Sequence, residues 1–281
     1  MVGGQFGKRK IAAIIQARYG SSRLPGKVLM NLPFSSDDTV LSQNVTRLSK
    51  VKALDEIIVA TSVNESDNII YNYCVKNNII CERGNENDVL NRFLYVAEKR
   101  NIDVIVRITC DNPIILIDKL EDVIDQHIKN NADYTRNLNL PYGTSFEIMN
   151  FETLKLVYQS PDLSESDKEH VTPFIKRHNE KFHIQEINHN LDFNFRFTID
   201  YPSDYAVMNI IFQYLKELNY VYDIHTLIHF IKNNKWLETI NGQGIQKKQF
   251  DTTAEEINSA IKLLEQLEYK TPAEILKNNL R

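Results

Sequence analysis

The feature that most constrains this chain is the alternation of short apolar runs with helical segments through its first half. Ile11–Gln16, Glu56–Thr61 and Asp103–Thr109 are compact β-rich runs. Between them, Val40–Leu48, Asp67–Lys76 and "ENDVLNRFLYVAEK" carry helical spacing, with Val89, Leu90, Phe93, Leu94 and Ala97 on one face. Asn85 or Asn87 is placed to cap that last helix. "NIICE" reads as a short strand and Asp118–Lys129 as a further helix. This order predicts an α/β fold with a doubly wound, mainly parallel sheet flanked by helices. Near-continuous apolar strands such as "AAII" suit a sheet covered on both faces, whose ligands gather at the carboxyl ends of the strands.

Beyond about residue 130 the regularity loosens. "DYTRN", "TSFEIM", "FHIQEI" and "NFRFTID" read as further strands of a mixed sheet, with helices at Phe151–Gln159, Ser164–Arg177, Pro202–Leu218 and Ile224–Asn233. "NGQGIQKKQ" reads as a loop before a last amphipathic helix with Ile257, Ile261, Leu264 and Leu267 on one face. The expected organisation is a disordered lead-in over 1–9, one domain over 10–240 and a helical extension over 241–281.

A net charge of -4 argues against general nucleic-acid binding, so the expected partner is small. No run approaches the roughly 18 apolar residues of a membrane span, and the first residues have no apolar signal-peptide core. Cys74, Cys81 and Cys110 are scattered, which fits reduced thiols in the cytoplasm better than disulfides or a zinc site. The histidines are unclustered and read as surface or packing residues.

The strand Ile11–Gln16 runs into a loop holding Arg18, Arg23 and Lys27 among Gly20, Ser21, Ser22, Pro25 and Gly26. Glycine and serine let backbone N–H groups approach phosphates while the cations balance charge. A solvated basic surface loop is the competing explanation for such a stretch. It is not a Walker A motif: five residues separate Gly20 from Gly26, and Val28 follows the lysine. Asp111 ends the strand in "VIVRITCDNP", and Asp200 ends the run in "FRFTIDYPSDY". A lone aspartate at a strand end reads better as a cap or turn former than as a ligand. Together, at two strand ends on one edge, they suit a magnesium ion shared with substrate phosphates.

"QARYGSSRLPGK" resembles the signature loop of the cytidylyltransferases that activate acidic sugars, such as CMP-3-deoxy-manno-octulosonate and CMP-sialate synthetases. "RLPGKVL", "VATS…SD", "RGNENDVLNRF", "VRITCDNP" and "FRFTIDYPSDY" are similar to their SpsF-like branch, in order from about residue 11 to 208. The resemblance implies a Rossmann-like nucleotidyltransferase fold, with CTP bound by Ala17, Arg18, Gly20, Ser21, Arg23 and Lys27. It implies cytosine and ribose contacts at Thr61, Arg83 and Gly84, magnesium on Asp111 and Asp200, and catalytic charge neutralisation by Lys27 and Arg18. Asp88 and Arg92 are implied as ligand contacts or as helix-stabilising residues. The acceptor and dimer region falls at about 131–195, with Glu147 implied as an acceptor contact or an ordinary strand residue. Cys110 stands where the sugar-acid synthetases carry glycine, and "GTSFEIM" replaces the "GLDVEVF" type of segment. The expected reaction is Mg-dependent transfer of CMP from CTP to an acidic sugar, phosphate or phosphonate acceptor, by a possible homodimer serving surface-glycan biosynthesis. A GT-A-type glycosyltransferase and a degenerate nucleotide-binding protein are the alternatives.

Overall fold

The computed structural model describes residues 8–191, 193–241, 253–266 and 268–279. Its first half alternates β1 (Ile11–Gln16), α1 (Val40–Leu48), β2 (Glu56–Ser62), α2 (Asn68–Lys76), β3 (Cys81–Gly84), α3 (Val89–Lys99), β4 (Val104–Thr109) and α4 (Ile117–Lys129). There follow β5 (Tyr134–Leu138), β6 (Glu147–Asn150), α5 (Phe151–Tyr158), α6 (Glu165–His170), α7 (Pro173–Arg177) and β7 (Ile184–Asn188). Three helices succeed them: α8 (Pro202–Glu217), α9 (Ile224–Asn233) and α10 (Trp236–Asn241). The chain divides into two compact units, Met1–Gly244 and Ile245–Arg281. In the second, α11 (Thr253–Gln266) and α12 (Lys270–Asn279) pack on one another. The expected single terminal helix is therefore two. Residues 1–7 of the expected lead-in, 242–249 of the expected loop and Leu267 lie outside the described residues.

The sheet has seven strands in the order β3-β2-β1-β4-β6-β5-β7. β1 pairs in parallel with β2 on one side and β4 on the other, and β6 runs antiparallel to both β4 and β5. Apolar residues cover both faces: Leu41, Ile70 and Leu120 of α1, α2 and α4 on one, Phe93, Leu154 and Phe174 of α3, α5 and α7 on the other. A third cluster joins Phe195, Phe197 and Ile199 to α8 and α9.

"NFRFTID" is not a ladder strand. Its alternate residues point into that third cluster, and only an isolated bridge joins Arg196 to Tyr142. The helix expected over Ser164–Arg177 is broken at Val171, whose φ of 71° precedes Pro173. Asp88, not Asn85 or Asn87, caps α3 by accepting the Asn91 N–H at 2.8 Å; Asn85 instead accepts the Asn87 and Asp88 N–H groups at 2.9 and 3.1 Å. Four helices end on a left-handed asparagine: Asn78, Asn101, Asn131 and Asn219. Each lets the next N–H reach back five residues, as Ile102 does to Ala97 O at 2.9 Å.

Across the mixed half runs a row of alternating charges. Arg107, Glu147, Arg136 and Glu186 are register partners on β4, β6, β5 and β7. Glu147 accepts from Arg107 Nη1 at 2.6 Å, Lys176 Nζ at 2.8 Å, Thr172 Oγ1 at 2.9 Å and the Tyr134 hydroxyl. Burial alone would raise its pKa, but these cations and donors outweigh that and hold the carboxyl at about 2. Such a depressed carboxyl contributes stability above the ordinary carboxylate range and loses it as the pH falls toward the folded value.

Two outcomes follow for equilibrium urea unfolding. Asn101→Gly should match the wild type or exceed it, whereas Asn101→Ala should lose about 1 kcal/mol, because a Cβ disfavours the left-handed region. Glu147→Gln should lose about 3 kcal/mol at neutral pH by leaving Arg107 without its counter-charge. That gap should narrow as the pH falls below the ordinary glutamate value of 4.5 toward about 2. A constant gap would show that charge is not what Glu147 contributes.

Candidate active site

β1 is the switch point of the sheet: β2 and β3 lie to one side of it and β4 to the other, all running parallel. The loops leaving β1 and β4 therefore lie side by side at the carboxyl edge of the sheet, where ligands bind in such folds. Ala17, buried, starts the first loop by donating its N–H to Ala60 O at 3.1 Å. Tyr19 O then accepts the N–H groups of Ser21 and Gly26 at 2.9 and 3.0 Å, which curls the loop back on itself. Gly26 has φ 73°, and a Cβ there would come within 3.0 Å of the Tyr19 ring. The N–H groups of Gly20, Ser22 and Arg23 have no acceptor among the described residues. Arg18 is exposed and makes no ion pair among the described residues.

Lys27 turns inward. It is 6% exposed, and its ammonium donates to Asp111 Oδ2 at 2.8 Å, Ile199 O at 2.6 Å and Asp200 Oδ1 at 3.1 Å. Burial would lower the lysine pKa, but the charges and hydrogen bonds of Asp111 and Asp200 outweigh it and leave the pKa raised. Asp200 is flanked further by Arg23 Nη2 at 3.4 Å and Arg196 Nη2 at 3.6 Å. The Arg23 guanidinium lies over the Tyr201 ring and that of Arg196 over the Tyr142 ring, at 4.8 and 5.1 Å from the centroids.

The backbone around Asp200 is fixed by Asp204, fully buried in the first turn of α8. Its Oδ2 accepts the N–H groups of Asp200 and Tyr201, each at 3.0 Å, and Arg196 Nη2 at 3.2 Å. Gly143, with φ 86°, allows the backbone of Phe197 to pass where a Cβ would sit 2.5 Å from the Phe197 carbonyl carbon. The first loop has its own anchor. Asp67 accepts the Tyr19 N–H at 2.7 Å and the Ser62 N–H and hydroxyl at 3.1 and 2.5 Å.

Thr61, Arg83 and Gly84 sit on the neighbouring strand ends, Thr61 opposite Arg83 and Ser62 opposite Gly84. Arg83 donates to Ser62 O at 2.8 Å and Asn64 O at 2.9 Å. The Thr61 hydroxyl is buried with no hydrogen-bond partner among the described residues. A Cβ on Gly84 would meet Arg92 Cγ at 3.0 Å. Arg92 is 1% exposed and donates from Nη1 to Asn85 O at 2.9 Å, its pKa lowered by burial to about 10.

Arg23, Lys27, Asp111 and Asp200 thus form one contact network; Arg18, Gly20 and Ser21 share its loop, and Thr61, Arg83 and Gly84 the adjacent edge. Glu147 stands in its own network, where any acceptor would compete with four internal donors. Arg196, Asp204, Asp67 and Tyr142 complete the site and were not singled out from the sequence. Arg196 and Asp204 do have a sequence signal, since they bracket Asp200 at four residues on either side. Among the described residues, no group of three or more His, Cys, Asp or Glu side chains is gathered for a metal.

A family model described as cytidylyltransferase matches residues 12–242. An uncharacterized protein of Methanocaldococcus jannaschii is 35% identical over 241 residues, covering 85% of this chain and 97% of its own. The spore coat polysaccharide biosynthesis protein SpsF of Bacillus subtilis is 35% identical over 207 residues, covering 72% of this chain and 86% of its own. The structure of a cytidylyltransferase from Leptospira borgpetersenii superposes with a TM-score of 0.76 at 30% identity, over 85% of this chain and 99% of that one. The chain belongs to the cytidylyltransferase family and is a nucleotidyltransferase.

Proposed function

We propose that this cytidylyltransferase transfers CMP from CTP to a small acidic-sugar, phosphate or phosphonate acceptor, with magnesium, in surface-glycan biosynthesis. The convergence of Asp111 and Asp200 on Lys27 beside Arg23, at the switch point of the sheet, carries the reading. Two relatives support the acceptor class. One is the spore coat polysaccharide protein; the other is a 3-deoxy-manno-octulosonate cytidylyltransferase of Christiangramia forsetii, 27% identical over 160 residues.

An acceptor oxygen attacks the α-phosphorus of CTP; the new O–P bond forms as the bond to the β-phosphate oxygen breaks, and pyrophosphate leaves. Charge on the phosphate oxygens makes positioning and electrostatics the main contributions. Arg18, Arg23 and the N–H groups of Gly20 and Ser22, which have no acceptor among the described residues, would hold the triphosphate. Thr61, Arg83 and Gly84 would contact the base and ribose. The donor set suits a hard cation, because carboxylate oxygens from two separate segments already meet at one ammonium. Asp111 and Asp200 would hold magnesium, which supplies Lewis-acid stabilisation of phosphate charge. We propose further that it works in the cytoplasm, which the free thiols of Cys74, Cys81 and Cys110 suit, and as a homodimer. Among the described residues no helix is long and apolar enough to cross a membrane.

Thermal unfolding with CTP, UTP, ATP and GTP, each with and without magnesium, tests nucleotide choice without an acceptor. CTP at 100 times its dissociation constant should stabilise by about 2.7 kcal/mol, and magnesium should enlarge the shift at a fixed CTP concentration. Pyrophosphate release should then appear with one acceptor class among sugar acids, phosphates and phosphonates. Asp200→Asn should lower turnover by about a thousandfold or more while the circular dichroism spectrum stays unchanged. A CTP shift without pyrophosphate release from any acceptor would favour a non-catalytic binder, and a response to nucleotide sugars alone would favour a glycosyltransferase.

A further inference from the structure

We infer that Lys27 is a tethered counter-ion: with no nucleotide bound, its ammonium fills the cation position between Asp111 and Asp200, so the pair accepts a divalent cation only when a triphosphate draws Lys27 away. The inference rests on the reading of those aspartates as metal ligands and of the first loop as a triphosphate cradle.

A lysine ammonium has three N–H donors. All three are engaged here, by Asp111 Oδ2 at 2.8 Å, Asp200 Oδ1 at 3.1 Å and Ile199 O at 2.6 Å. Lys27 therefore has no donor to offer a phosphate until it releases one of these partners. A divalent cation entering between the carboxylates would meet the ammonium at close range, where burial leaves little water to screen the repulsion. Arg23 and Arg196 stand within 3.4 and 3.6 Å of Asp200 as well. With Lys27 these cations match the carboxylates around them, Arg196 being shared with Asp204 at 3.2 Å, so the pair has no charge deficit that would attract a bare metal ion. A triphosphate reverses this balance: its anionic oxygens give Lys27 a new partner and leave the carboxylates short of positive charge. The flexible four-carbon stem of lysine lets the ammonium re-aim while the loop, fixed by Gly26 and Asp67, stays in place. By linkage, the factor by which nucleotide tightens metal binding equals the factor by which metal tightens nucleotide binding.

The test is Mn2+ binding, followed by electron paramagnetic resonance, to the wild type, Lys27→Met and Asp200→Asn. Each is measured with and without a non-hydrolysable α,β-methylene analogue of CTP, correcting for Mn2+ held by the analogue in solution. The wild type should bind Mn2+ about tenfold or more tightly with the analogue than without it. Lys27→Met should bind Mn2+ alone about tenfold or more tightly than the wild type does, and should lose most of the dependence on the analogue. A lysine with only a structural or phosphate-holding role predicts unchanged or weaker Mn2+ binding in that variant, and this result would overturn the inference. Equal wild-type affinity with and without the analogue would overturn it too, even if Lys27→Met did not fold. Asp200→Asn should bind Mn2+ poorly under both conditions. Full binding by that variant would instead remove Asp200 from the metal site and take the basis of the inference with it.

Discussion

The carboxyl edge of the sheet is organised around the burial of one ammonium group. A lysine charge taken out of water is costly unless carboxylates and carbonyls replace its hydration. Lys27 meets that demand with acceptors from two segments remote from its own, the end of β4 and the stretch before α8. Each acceptor is braced in turn. Ile199 N–H donates to Asp111 O at 2.9 Å, and Asn44 Nδ2 donates to Cys110 O at 2.9 Å. Cys110 itself is buried in the core, and burial pushes its thiol pKa up. A cysteine before the strand-end aspartate is thus absorbed by packing and leaves the position of Asp111 governed by its backbone bonds.

Topology explains why these segments meet. β1 and β4 are adjacent because the chain adds β2 and β3 to one side of β1 before returning to the other. The loops that leave these adjacent parallel strands therefore meet at the carboxyl edge, where ligands bind in open α/β sheets. The loop after β1 carries Arg18, Arg23 and Lys27, and Asp111, at the end of β4, meets Lys27 there. This half was largely readable from the sequence. Strands buried on both faces are necessarily apolar, and the crossover helices show their inner faces at three- and four-residue spacing. The boundaries of β1 and α1 coincide with those expected from the pattern.

What the pattern concealed has particular causes. "NFRFTID" alternates as a strand does because Phe195, Phe197 and Ile199 share one buried side, yet burial of alternate residues does not require a ladder. The cap of α3 went to Asp88 since a carboxylate three residues before Asn91 N–H competes well with the nearby asparagines. In the loop, the residue types were legible but their partners were not. Sequence places Lys27 among flexible, polar neighbours, which reads as readily as solvent exposure. Only the meeting of distant segments turns its side chain inward. The inward turn also separates Lys27 from Arg18, although both lie in one loop of like charge: the first is enclosed by carboxylates, and the second remains exposed.

The mixed half of the sheet obeys a different rule. β5 and β7 are only partly buried, so polar side chains can occupy the interior of their pairing. The row Arg107, Glu147, Arg136 and Glu186 alternates in sign across four strands, and opposite charges in register support cross-strand pairing. A charged residue in a strand near a site invites assignment to a ligand, and Glu147 has the right neighbourhood for one. Its carboxylate, however, is enclosed by Arg107, Lys176, Thr172 and Tyr134, and is held ionised by them. Its charge is accounted for by holding β4, β6 and α7 together. The presence of a charge on this half is therefore weak evidence for acceptor contact until its internal partners have been subtracted.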